Sequence, residues 1–155
     1  MAFNVFISYS THDLLLAKQV SRLLRLPGCS KPFLAEYSVQ PGQQLDPKII
    51  AAIKQCDLFI LLWSHHAKAS DWVAQEVGIA KGCDRPIIPI TLHESAVPAG
   101  FLRGTKYMRL YEDPKRNLEW LQKHVFASAT KKEQQQGAVW LGVGAAIIWL
   151  LSQKE

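Results

Sequence analysis

An α/β fold built on a five-stranded parallel sheet is predicted for this 155-residue chain, on three observations. Short apolar runs rich in β-branched and aromatic residues recur along it. Stretches of helical periodicity lie between those runs. Each helical stretch opens on a capping residue, and Gly or Pro punctuates the joints. Strands and helices that alternate at this spacing form βαβ units, whose crossover helices cover both faces of a parallel sheet.

Phe3 to Tyr9 is the first strand. Ser10 is placed as the N-cap of the next helix, with Asp13 at the third helical position in the manner of a capping box. That helix carries Leu14, Ala17, Val20, Leu23 and Leu24 and runs to Arg25, where Pro27-Gly28 stops it. Pro32 to Ala35 is a brief second strand. Glu36 to Leu45 is a polar loop in which Pro41-Gly42 signals a turn. Asp46 caps a helix that has Pro47 at its first position and carries Ile49, Ile50 and Ile53. Asp57 to Trp63 reads as a buried third strand, and Ser70 caps a helix that closes at Gly82. Pro86 to Ile90 and Lys106 to Leu110 are strands four and five, the prolines of the former pointing to irregular ends. Asp113-Pro114 opens a last helix that buries Leu118, Leu121 and Val125.

Five strands in this length suggest the flavodoxin-like order 2-1-3-4-5, whose switch point lies between strands one and three. Ser8 to Asp13 and Trp63 to Glu76 follow those strands. They are expected to face each other across the crevice where such sheets bind ligands, with the Glu36–Leu45 loop leaning over it. Within the second segment, Asp71 sits in a first helical turn, favourable at the positive end of the helix dipole. Trp72 and Glu76 are four residues apart and share a helix face, which sets a flat ring beside a carboxylate. Spacing alone fits a core tryptophan and a solvated glutamate as well.

The formal charge of +5 is spread out, and Lys or Arg never exceed two in a row. Without a basic stripe interleaved with aromatics, nucleic acid is not expected as a partner. Cys29, Cys56 and Cys83 are odd in number and outside any CxxC spacing, which suggests reduced, buried thiols in a cytoplasmic setting. Phe3-Asn4-Val5-Phe6-Ile7 follows the first residues directly, so no secretory signal is expected.

After Ala127 the composition changes. Residues 1–127 form the α/β domain, 128–136 a polar linker or helical extension, and 137–152 a hydrophobic C-terminal helix. Gly137 to Leu151 carries no charge, and as a helix it spans about 22 Å against a hydrocarbon core of ~30 Å. Two readings stay open. One is a membrane anchor that, with Lys131-Lys132 inside, holds a cytoplasmic domain to the inner face of a membrane. The other is a helix packed on a protein partner through the small-residue ridge Ala138, Gly142 and Ala146.

Several chemistries are disfavoured. His65 and His66 lack metal-ligand spacing to Cys83 or Asp71, so no metal is expected and a solvated loop after the third strand is the plainer reading. Ser64, His65 and Asp71 lack the nucleophile elbow of a hydrolase triad. No Gly-rich phosphate loop is present. Trp63-Ser64 stands where a phosphate-accepting receiver domain needs an aspartate at the end of strand three.

Three motifs in this order resemble a TIR domain (Toll/interleukin-1 receptor and resistance protein) over roughly residues 1 to 125. They are Phe6-Ile7-Ser8-Tyr9-Ser10 with Asp13, Phe33-Leu34 with Val39-Gln40-Pro41-Gly42, and Asp71-Trp72-Val73-Ala74-Gln75-Glu76. The resemblance implies the flavodoxin-like fold. Through the Trp72–Glu76 spacing of enzymatic members, it also implies cleavage of NAD+ between nicotinamide and ribose. It makes Glu76 the catalytic carboxylate and sets Trp72, Asp71, Ser8, Tyr9, Ser10, Phe33, Pro41 and Gly42 around the substrate. NAD+ is then a substrate, no separate cofactor is implied, and the product is ADP-ribose or a cyclic ADP-ribose. The family's BB loop corresponds to Glu36–Leu45 and implies self-association, in a setting of defence signalling that includes antiviral defence. Two positions depart from the pattern: Ala35 stands where an aspartate commonly follows the second strand, and Ser10 where many members carry arginine. A non-catalytic TIR scaffold is the alternative reading, and a nucleoside deoxyribosyltransferase-like enzyme a third.

Overall fold

The computed structural model describes residues 2–25, 28–35, 44–98 and 100–152. Five strands, β1 (Phe3–Ser8), β2 (Ser30–Leu34), β3 (Leu58–Trp63), β4 (Ile87–Thr91) and β5 (Met108–Arg109), lie in the order β2-β1-β3-β4-β5. All neighbours are parallel, with Val5 level with Pro32 on one side and Leu58 on the other. This is the sheet order expected from the sequence. β2 is an edge strand, which tolerates Pro32. The ladder from β4 to β5 begins only at Ile90, so Pro89 forfeits no bond to β5.

Helices α1 (Leu14–Arg25), α2 (Pro47–Gln55), α3 (His65–Lys68), α4 (Asp71–Gly82) and α5 (Pro114–Ser152) complete the described elements. Gly28 follows α1 at φ 71°, a conformation that Gly adopts without steric cost. Asp46 caps α2 as expected, its carboxylate accepting from Lys48 N at 2.8 Å.

The pleat sorts β1 by parity. Val5, Ile7 and Tyr9 point to one face, where they pack with Ala17 and Val20 of α1 and Leu121 and Val125 of α5. Phe6 points to the other, where Phe59, Ile53 of α2 and Val77 of α4 meet it. The Phe6 ring stacks on Phe59 at 5.2 Å and on Phe33 at 5.6 Å. Each side chain buried in this way contributes about 1.5–3 kcal/mol. By the same parity Ser8 falls on the α2/α4 side, at the C-terminal end of its strand.

The structure departs from expectation in several places. Ser10 caps a 3-10 turn, Thr11–Asp13, and the α-helix starts only at Leu14. Its Asp13 carboxylate accepts from Ser64 Oγ at 2.6 Å, which ties the turn after β1 to the turn after β3. Ser64 also accepts from Ala67 N at 3.1 Å and so starts α3, where a loop was expected. β5 shrinks to two residues. Only Cys56 of the three thiols is buried; Cys29 and Cys83 are half-buried.

Of the two readings of 128–136 the structure takes the helical extension: α5 is one helix of 39 residues, about 58 Å long, that runs through this polar stretch. Leu121, Val125 and Ala129 pack on the α1 side. Lys132 Nζ reaches Asp57 Oδ2 at 2.7 Å and Ala2 O at 3.3 Å. The expected membrane anchor is overturned: among the described residues no helix is long and apolar enough to cross a membrane. The uncharged run is too short for the hydrocarbon core, and polar Gln134 to Gln136 and Ser152 bracket it. The location on the inner face of a membrane rested on that run and falls with it.

Candidate functional site

The helix that carries the expected carboxylate starts as its sequence dictates. Ser70 Oγ accepts from Val73 N at 3.3 Å, and Asp71 lies exposed in the first turn of α4. The buried stripe of α4 is Val73, Glu76, Val77 and Ala80. That is the i, i+3, i+4, i+7 pattern of a core-facing surface. A carboxylate therefore occupies a position where an apolar residue is the rule.

Across from it stands Ser8, at the end of β1. Both side chains are 0% exposed, and Ser8 Oγ donates to Glu76 Oε2 at 2.6 Å. Among the described residues Glu76 is the one buried Asp, Glu, Lys or Arg. Burying an ionised carboxylate costs several kcal/mol, and one short charge-assisted bond offsets part of it.

Above this pair is a cavity of about 280 Å³, running from Tyr9, Ser10 and His12 on one side to His66, Ser70 and Trp72 on the other. Trp72 is half-buried and packs against the α2/α4 core at the edge of the stripe that holds Glu76. Glu76 itself does not line the cavity. The Tyr9 ring is buried and its hydroxyl donates to Ala35 O at 2.6 Å, which pins the end of β2 beside β1.

The fold thus brings Ser8 to Glu76, and Tyr9, Ser10 and Trp72 to one cavity. It does not bring Asp71 or Phe33 there. Phe33, 38% exposed on β2, stacks on Phe6 instead. Pro41 and Gly42 lie outside the described residues. Sequence reasoning missed two features: the Ser64–Asp13 bond, and the rings of His12 and His66, which stack with centroids 4.0 Å apart and 7° from parallel. Strand order alone brings these groups together, so no local spacing could reveal them. The burial of Glu76 was different, because Val73, Val77 and Ala80 already marked its side of the helix as apolar.

Two other nucleophiles are occupied or masked. Ser64 donates to Asp13, and His65 Nε2 lies 2.8 Å from Ser95 Oγ, so no Ser64–His65 pair forms. Burial pushes the Cys56 thiol up to about 11 from 9.0, with Arg85 pulling the other way. Its thiolate is scarce at neutral pH. A wider depression of about 650 Å³ lies between the β4–β5 edge and α5, beside Tyr107, Arg116, Trp120 and His124.

Comparison with known proteins accords with this geometry. The family model of the TIR domain matches residues 5–125. Among solved structures, the TIR domain of the Toll-related receptor TRR-2 from Hydra magnipapillata is similar, with a TM-score of 0.63 and 21% identity over 81% of this chain and 97% of that one. A conserved protein from Enterococcus faecalis V583 is similar with a TM-score of 0.52 and 18% identity, covering 83% of this chain and 99% of that one. The TIR domains of the activated Roq1 resistosome, which directly recognises the pathogen effector XopQ, are similar with a TM-score of 0.50 and 16% identity, over 83% of this chain and 84% of that one. At these identities the structural likeness is one of fold. No curated protein sequence matches the chain.

Proposed function

The chain belongs to the TIR-domain family, and from that premise we propose that it cleaves NAD+ at the bond between nicotinamide and ribose. The observation that supports this reading is the buried Glu76 carboxylate, held by Ser8 at 2.6 Å one helical turn from Trp72. The nicotinamide of NAD+ is a cationic pyridinium that takes the C–N bonding pair and leaves the ribose as a neutral ring, so its departure needs no strong general acid. Positive charge then develops on the ribose, and a carboxylate fixed in a low-dielectric site stabilises that oxocarbenium-like transition state. In this reading Glu76 supplies the charge and Ser8 sets its orientation. Trp72 stacks on the nicotinamide or walls its pocket. Water attack on the ribose gives ADP-ribose, and attack by the adenine of the same molecule gives a cyclic ADP-ribose.

Glu76 is closed off in the isolated chain, so the active state must uncover it. Self-association is the event we assign to that step, through the BB loop Glu36–Leu45, in keeping with an assembled resistosome among the structural neighbours. Defence signalling is the setting this implies.

The test is to incubate purified protein with NAD+, both dilute and clustered by a crowding agent, and to follow nicotinamide and its co-product by chromatography and mass. Release that vanishes in Glu76→Gln supports the assignment, and release that persists there refutes it. No release from clustered wild-type protein supports the second reading, a non-catalytic scaffold. One observation favours that reading: Ser8 holds the Glu76 carboxylate in a fully buried pair.

A further inference from the structure

The crevice carries a pair of groups that the Glu76 chemistry does not use. His12, on the turn after β1, and His66, on α3, stack ring on ring at 4.0 Å. Both side chains are exposed, and both line the cavity that Trp72 walls. Ser10 Oγ lies 3.2 Å from His12 Nδ1 and steadies that ring. Among the described residues that line the cavity there is no carboxylate. Hydroxyls of Ser10, Thr11 and Ser70 and the two imidazoles supply the polar groups. Rings stacked face to face cannot aim their in-plane lone pairs at one metal ion, so the pair does not make a chelate. An anion lying along their edges meets N–H donors from both.

We propose that His12 and His66 form the phosphate seat of the crevice, binding the diphosphate of a dinucleotide whose flat ring packs on Trp72. The identity of the ligand rests on the NAD+ reading; the anion seat rests on the geometry.

Inorganic pyrophosphate titrated into the wild-type chain tests the seat, with imidazole NMR signals and binding heats as readouts. Both histidine signals are expected to shift. The His12→Gln/His66→Gln double variant, altered only at exposed positions, is expected to bind about tenfold more weakly or worse. Unmoved signals, or equal affinity in the double variant, overturn the proposal. Kinetics with NAD+ and with nicotinamide riboside, which has no phosphate, give the second arm. The preference for NAD+ is expected to fall about tenfold or more in the double variant, mostly through KM, and an unchanged preference overturns the proposal. Wild-type protein that cleaves neither substrate refutes the nucleosidase reading alone, because the pyrophosphate titration still decides the seat.

Discussion

The two faces of the sheet are built to different ends. Beneath α1 and α5 the core from Phe3 to Ala129 buries no charged side chain among the described residues, and the Tyr9 hydroxyl at its end donates to Ala35 O. Beneath α2 and α4 the packing is equally apolar around Phe6, Phe59 and Val77, until the C-terminal end of β1. There Ser8 and Glu76 replace the next apolar pair. One face only stabilises the fold. The other accepts a buried carboxylate, whose desolvation works against folding, at the end of the sheet where α/β folds bind ligands. The contrast is what singles out this point for the proposed chemistry: the folding rule is broken there inside an otherwise regular stripe.

The sharpest way to break that contrast is at Glu76. Glu76→Gln is expected to cut nicotinamide release about a thousandfold, or about 4 kcal/mol of transition-state stabilisation. Its denaturant midpoint should stay level or rise, because an uncharged group costs less to bury. A midpoint that collapses instead would make Glu76 a structural residue. The matching change on the other face, Ile60→Ala, is expected to destabilise the chain by about 3 kcal/mol in urea unfolding, with nicotinamide release per folded molecule retained. Ser8→Ala comes next. It removes a donor from a buried carboxylate, and a loss of about 2 kcal/mol is expected, together with slower release under the clustered conditions. The last concerns Cys56, on the same face as Glu76. Its thiol ionises at about 11 in the fold and near 9.0 when unfolded. Above pH 9.0 the unfolded chain gives up this proton first, so stability is intact below that pH and declines toward 11. The slope is at most about 1.4 kcal/mol per pH unit. Unfolding curves for wild type and Cys56→Ala across pH 8 to 11 should diverge in slope, and parallel curves would contradict it.

Much of this was legible beforehand, for identifiable reasons. Strand and helix order followed from apolar periodicity and from caps such as Ser70 and Asp46, whose side chains bond the backbone as local rules require. The parity of β1 placed Ser8 opposite Val5 and Ile7. Trp72 and Glu76 were singled out by spacing, yet the two do different things: Trp72 reaches the cavity and Glu76 lies buried beneath it. The expected solvated loop at His65–His66 became α3 because Ser64 found both Asp13 and the Ala67 N–H. The expected anchor failed on a quantity the sequence already held, a run too short for hydrocarbon.

Local bonds and alternating polarity are written along the chain, so the sequence by itself determined the elements, the sheet order and the family. Contacts between groups far apart in sequence arise only when β1 and β3 become neighbours. That step set Ser8 against Glu76 across 68 residues, tied Ser64 to Asp13, and laid His66 on His12. Burial was decided there too: whether a carboxylate meets water or an apolar core depends on what packs over its helix. The same glutamate could have been read as a solvated surface charge. The tertiary structure made it the buried carboxylate on which the proposed chemistry turns.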